Sequence, residues 1–181
     1  GIVCLAAYIK RQLSIKVPVL DLSVFTYQGY RVGVMCLMLN FGITLAAMYV
    51  LPQFYQNAML IAVAAAGVLM LPGGLINAAV SVAAGTLFDR FGARGPVSIG
   101  FACSALASAM LMIATPETPI WYMVACHIIM MIGVPLAMSP CQTHALASIP
   151  PQLNSDGSTI MNTLQQVLGA ICTAVATCLL A

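Results

Sequence analysis

Gly85-Thr86-Leu87-Phe88-Asp89-Arg90-Phe91-Gly92-Ala93-Arg94 is a short charged stretch set between two long apolar ones. Three of the chain's ten charged side chains fall within it. None falls between Val32 and Phe88, and none between Gly95 and Pro116. A charge cluster framed in this way reads as a turn at a membrane surface, with one helix crossing the bilayer before it and another after it.

Composition agrees. Apolar residues make up 62% of the 181 and charged residues 6%, with a mean hydropathy of +1.03. Soluble domains carry about 45–50% and about 25%. Ten charges cannot clothe a water-facing surface, so the partner is a lipid bilayer. The net charge of +2 is too small to point to nucleic acid.

Working outward, Val32 to about Tyr55 is uncharged and long enough to cross a hydrocarbon core of roughly 30 Å at 1.5 Å per residue. Pro52 and the Gln53–Gln56–Asn57 group close it. A second span runs over 62–85, with Leu71-Pro72-Gly73-Gly74 at its middle. Proline removes a backbone donor there, which predicts a kink at Pro72, Gly73 and Gly74 and places the helix inside a bundle. After the charged turn come spans at 96–114 and 120–138, the latter closed by Ser139-Pro140. Then come a polar connector, Cys141 to Asn154, and a last span at 157–180. Residues 1–9 read as the end of a further transmembrane helix and 10–31 as a loop, with an interfacial segment at Leu20–Phe25. The expected fold is an all-α integral membrane protein: about five transmembrane helices plus the end of a sixth, an internal piece of a larger protein.

Orientation follows from charge. All six basic residues, Lys10, Arg11, Lys16, Arg31, Arg90 and Arg94, lie in the first loop or the turn, two spans apart and so on one side. Excess Lys and Arg marks the cytoplasmic side, which puts residues 10–31 and 86–95 there.

The turn resembles the G-x-L-a-D-r-x-G-r-k signature of the major facilitator superfamily, through Gly85, Leu87, Asp89, Arg90, Gly92 and Arg94. Ala93 stands where a basic residue is common. Leu51-Pro52-Gln53-Phe54-Tyr55-Gln56-Asn57, Leu71–Gly74 and Met161-Asn162-Thr163-Leu164-Gln165-Gln166 extend the resemblance to the 14-helix drug:proton antiporters of the EmrB/QacA type, the LmrB-like branch included. The resemblance implies that the chain runs from the end of helix 8 through helix 13 of a C-terminal transporter portion in the cell inner membrane. It also implies that Gly85, Asp89, Arg90, Gly92 and Arg94 form a cytoplasmic gating latch. It implies export of small lipophilic drugs by alternating access, driven by a proton gradient with no cofactor, in company with the N-terminal half of the same transporter. One departure is Cys172, where a packing glycine is usual.

Within the spans, Asn40 and Thr44 share one helical face, as do Asn77 and Ser81, and Asn162 and Gln166. Embedded amides face a bundle interior or a wet cavity. Asn40, Thr44, Asn162 and Gln166 are therefore candidates for a substrate pathway, whereas Asn77 reads as a helix–helix contact. His127 has no acid in reach and reads as a packing histidine. The seven cysteines show no CxxC pair, and Cys141-x-x-His144 lacks the second pair that a tetrahedral metal site needs, so no metal is expected. No acid falls in mid-membrane, so proton coupling is not assigned to any residue here. A membrane enzyme would need clustered nucleophiles or acids, and neither HExxH nor GxSxG occurs. The alternative to a transporter is a non-transporting scaffold or a channel subunit, which the scattered amides favour less.

Overall fold

The computed structural model describes residues 20–180, with side chains to Cys178. The helix end expected at 1–9, and Lys10, Arg11 and Lys16, lie outside the described residues. A single 3-10 turn, Leu22–Thr26, precedes five long helices: α1 (Gln28–Gln53), α2 (Val63–Phe91), α3 (Arg94–Met112), α4 (Ile120–Ala147) and α5 (Asn154–Leu180). All five are long and apolar enough to cross a membrane. Even α3, with 19 residues, spans about 28 Å.

The opening turn is held by Asp21, whose carboxylate accepts the Ser23 backbone N–H at 2.8 Å. That hydrogen bond holds the Asp21 carboxyl below its ordinary value. The depressed value means that the contact stabilises above the ordinary carboxylate range and is lost as pH falls through the lowered one.

α4 is the hub. It packs against α3, α2 and α1, while α5 rests mainly on α1. Thirteen of α4's residues are buried, against three of α2's. Pro72, Gly73 and Gly74 lie on a helix at the rim of the described bundle, and the prolines of the central helix are Pro135 and Pro140. α2 runs unbroken through Pro72.

Other boundaries differ for physical reasons. α1 passes Pro52 to Gln53 and loosens into one π turn, Phe54–Ala58, beyond which Leu60 takes φ 54°. The charged stretch is not a loop. α2 continues through Asp89 and Arg90 to Phe91, and the reversal is confined to Gly92 and Ala93. Ser139-Pro140 does not close α4 either. The helix runs on to Ala147 because Pro140, Cys141 and Ala145 are buried against its neighbours. The polar connector shrinks to Ser148–Pro150 and one turn, Pro151–Leu153.

Small residues bring the central helices together. A Cβ on Gly100 of α3 would lie 2.6 Å from the Ala137 nitrogen and 2.7 Å from the Gly133 carbonyl oxygen. One on Gly133 would lie 2.6 Å from the Gly100 carbonyl oxygen. The two backbones touch at this crossing, the close approach expected of small-residue interfaces in lipid.

Candidate functional site

At the charged end of the bundle, α2 stops because Gly92 adopts φ 69°, ψ −174°, with its N–H donating to the Phe88 carbonyl at 2.8 Å. That backbone region is essentially open to glycine alone. Gly92→Ala should therefore destabilise the turn by about 1–3 kcal/mol, seen as a lower melting temperature in detergent. Gly85 has a different setting. It is exposed, and a Cβ there would meet nothing within 4 Å, so it makes no close helix approach among the described residues. Asp89, Arg90 and Arg94 are exposed on the same end, available to whatever lies against it.

At mid-membrane the embedded amides separate into two groups. Asn40 is fully buried, and its Nδ2 donates to Ser104 Oγ at 3.4 Å across α1 and α3. Its Oδ1 has no partner. Thr44, one turn on, donates to the Asn40 carbonyl at 2.8 Å. This pair lies inside the bundle, not on the face where α5 packs.

Asn77 bridges helices, as read from sequence. Its Nδ2 donates to the Met131 carbonyl of α4 at 3.2 Å. Met131 is four residues before Pro135, so its carbonyl is the one that Pro135 leaves without a ladder partner. The amide of α2 thus replaces the bond missing from α4, as helices in lipid require. Asn77→Leu should cost ~0.6–2 kcal/mol, measurable by unfolding in mixed micelles. His127, 4% exposed, packs its ring against Gly73 and so sits at the same α2–α4 seam.

Asn162 and Gln166 have the opposite environment. They belong to an exposed face of α5 that runs through Thr159, Asn162, Gln166, Thr173 and Thr177, spaced at one or two helical turns. The threonine hydroxyls donate to carbonyls four residues earlier, at 2.8–2.9 Å. The amides of Asn162, Gln165 and Gln166 make no such bond among the described residues, and so keep donors and acceptors unmatched at bilayer depth. Gln165 and Gln166 line an open groove of about 620 Å³ between α5 and α1, with Phe41, Leu45, Gly169, Thr173 and Thr177.

The groove is fastened at both ends. Tyr30, fully buried, donates its hydroxyl to the Gly157 carbonyl at 2.7 Å. The Tyr49 and Thr177 hydroxyls meet at 2.9 Å near the other end. Between them, Gly42 of α1 lies opposite Cys172, in ordinary contact at 3.7 Å were it to carry a Cβ. The cysteine is accommodated there without a clash. Sequence reasoning singled out Asn162 and Gln166 but not Phe41, Leu45 or Tyr49, which carry no polar signature that separates them from lipid-facing residues.

Among the described residues no group of three metal-ligating side chains comes together.

Residues 7–173 match the family model described as Major Facilitator Superfamily. The lincomycin resistance protein LmrB of Listeria innocua is 39% identical over 176 residues, covering 97% of this chain and 37% of the relative. LmrB of Bacillus subtilis is 34% identical over 181 residues, covering 100% and 38%. The multidrug export protein EmrB of Haemophilus influenzae is 25% identical over 178 residues, covering 98% and 35%. No solved structure matches. The chain spans a little over a third of the length of these relatives, whose names denote resistance or export, not catalysis. With five membrane-length helices and a family match over most of its length, the chain is a multi-pass membrane protein and belongs to the major facilitator superfamily.

Proposed function

We propose that this chain is the C-terminal portion of a proton-driven exporter of lipophilic antibiotics in the cytoplasmic membrane, working by alternating access with the N-terminal half of the same transporter. The observation that carries the reading is the amide pair Gln165–Gln166, the first half-buried and the second exposed, in a groove whose other wall is Phe41 and Leu45. Unmatched amides beside an aromatic ring suit a ligand with both hydrogen-bonding groups and an apolar body, held near the midplane. The relatives named for lincomycin resistance support that substrate class. In this reading the charged end, with Asp89, Arg90 and Arg94, faces the cytoplasm, and coupling acids belong to the other half. A channel or scaffold is the weaker reading, since the described helices hold scattered amides and no ring of charge.

The test is uptake of a fluorescent lipophilic substrate, and of lincomycin, into everted vesicles carrying the full-length transporter. An imposed proton gradient should drive both, and a protonophore should abolish it. The double variant Gln165→Leu/Gln166→Leu should lose on the order of tenfold in transport at unchanged protein level, about the 1.4 kcal/mol of one or two lost hydrogen bonds. Gradient-independent behaviour across a broad drug panel would return the chain to the scaffold reading.

A further inference from the structure

Where α1 begins, α3 begins and α4 ends, the three helices enclose a cavity of about 300 Å³. Arg94 and His144 line it from α3 and α4, and Val32, Cys36 and Val97 form its apolar wall. None of the chain's four acidic residues lines it. One guanidinium and one imidazole therefore line one space that no carboxylate lines, and they do so at a helix-end level, where membrane surface and bundle meet. Arg31 and Arg90 lie at that same end, as do Asp21, Asp89 and Asp156, none of which lines the cavity.

A purely polar anion would leave the valine wall bare, and a purely apolar chain would leave the Arg94 guanidinium without a counter-charge. An amphiphile with an anionic head satisfies both at once. Basic pockets between transmembrane helices are matched to anionic phospholipid heads by the same logic. We propose that this cavity binds an anionic phospholipid of the adjoining leaflet: its phosphate accepts from Arg94 and His144, and its first methylenes lie along Val32 and Val97. The bound lipid would brace α3 against α4 at the charged end. The proposal concerns lipid alone and stands whether or not the drug-export reading holds.

The experiment uses the full-length transporter, delipidated in detergent and returned to nanodiscs of phosphatidylcholine with or without phosphatidylglycerol. Native mass spectrometry should find a retained phosphatidylglycerol on the wild type and on Arg94→Lys, with occupancy reduced at least roughly fivefold in Arg94→Gln/His144→Gln, the loss expected from removing basic groups at a membrane surface. Equal retention in wild type and double variant would overturn the proposal. If the double variant fails to fold, labelling of the wild type by acyl-diazirine lipids decides. Phosphatidylglycerol should label peptides containing Val32 and Val97 more strongly than phosphatidylcholine does. Equal labelling by the two lipids, displacement by inorganic phosphate alone, or no labelling because a carboxylate of the other half fills the cavity would each overturn it.

Discussion

Gly133→Leu is expected to abolish accumulation of folded transporter. The Cβ alone would approach the Gly100 carbonyl oxygen to 2.6 Å and Ser104 Oγ to 2.8 Å. The first of these atoms belongs to backbone, which cannot rotate away as a side chain can. Overpacking a core that can adjust costs about 1–3 kcal/mol, and a site that cannot adjust costs more. Here α3 would have to leave α4, the helix on which α2 and α1 also pack. Gly133→Ala should be milder but still destabilising. Gly67→Leu, where a Cβ meets nothing within 4 Å, should leave the described fold intact. Fluorescence-detected size-exclusion profiles of the three variants check the order; a monodisperse Gly133→Leu peak at wild-type level would contradict the crossing.

Asp89→Asn is expected to leave the fold unharmed and to reduce transport at least tenfold. The carboxylate sits in the last turn of α2, where the helix dipole disfavours negative charge by roughly 0.3–1 kcal/mol. It is exposed. Local stability alone would therefore favour asparagine, and the variant should melt at or slightly above the wild-type temperature. A role in a latch against the rest of the transporter makes the opposite demand, because only the charged form pairs with cations or helix N-termini there. The split between an unchanged melting temperature and collapsed gradient-driven uptake is the signature of that role. Full activity would reduce the stretch to a topological turn.

Much of this was legible in the residues alone. An uncharged run of membrane length can only be a helix in lipid, because every backbone group must be satisfied within the segment. The five spans and the position of the reversal between α2 and α3 follow from that requirement. Gly92 was legible as part of a turn, and its φ of 69° supplies the reason. Helix ends were less legible. Pro52 and Pro140 look like stops, yet both helices continue, since a neighbour's packing or side chain can compensate a missing N–H.

Polar residues show the division most clearly. In sequence, Asn40 and Gln166 are equivalent embedded amides, each one turn from another polar residue. Rotation of the helices about their axes assigns one to a buried contact with Ser104 and exposes the other beside Phe41. Rotation is set by packing between helices, and hydropathy does not encode it in a chain that is apolar nearly all round. The same holds for which helix is central. α2 and α4 are similarly long, apolar and proline-containing, and only the tertiary structure puts α4 at the hub, where Gly100 meets Gly133 and Asn77 meets the carbonyl freed by Pro135. The amino-acid sequence by itself determined that this protein crosses a membrane, how many times the described chain does so, and where it turns. Tertiary structure alone decided which faces meet, because in lipid shape and hydrogen bonding choose a helix's neighbours once hydrophobicity no longer distinguishes its sides.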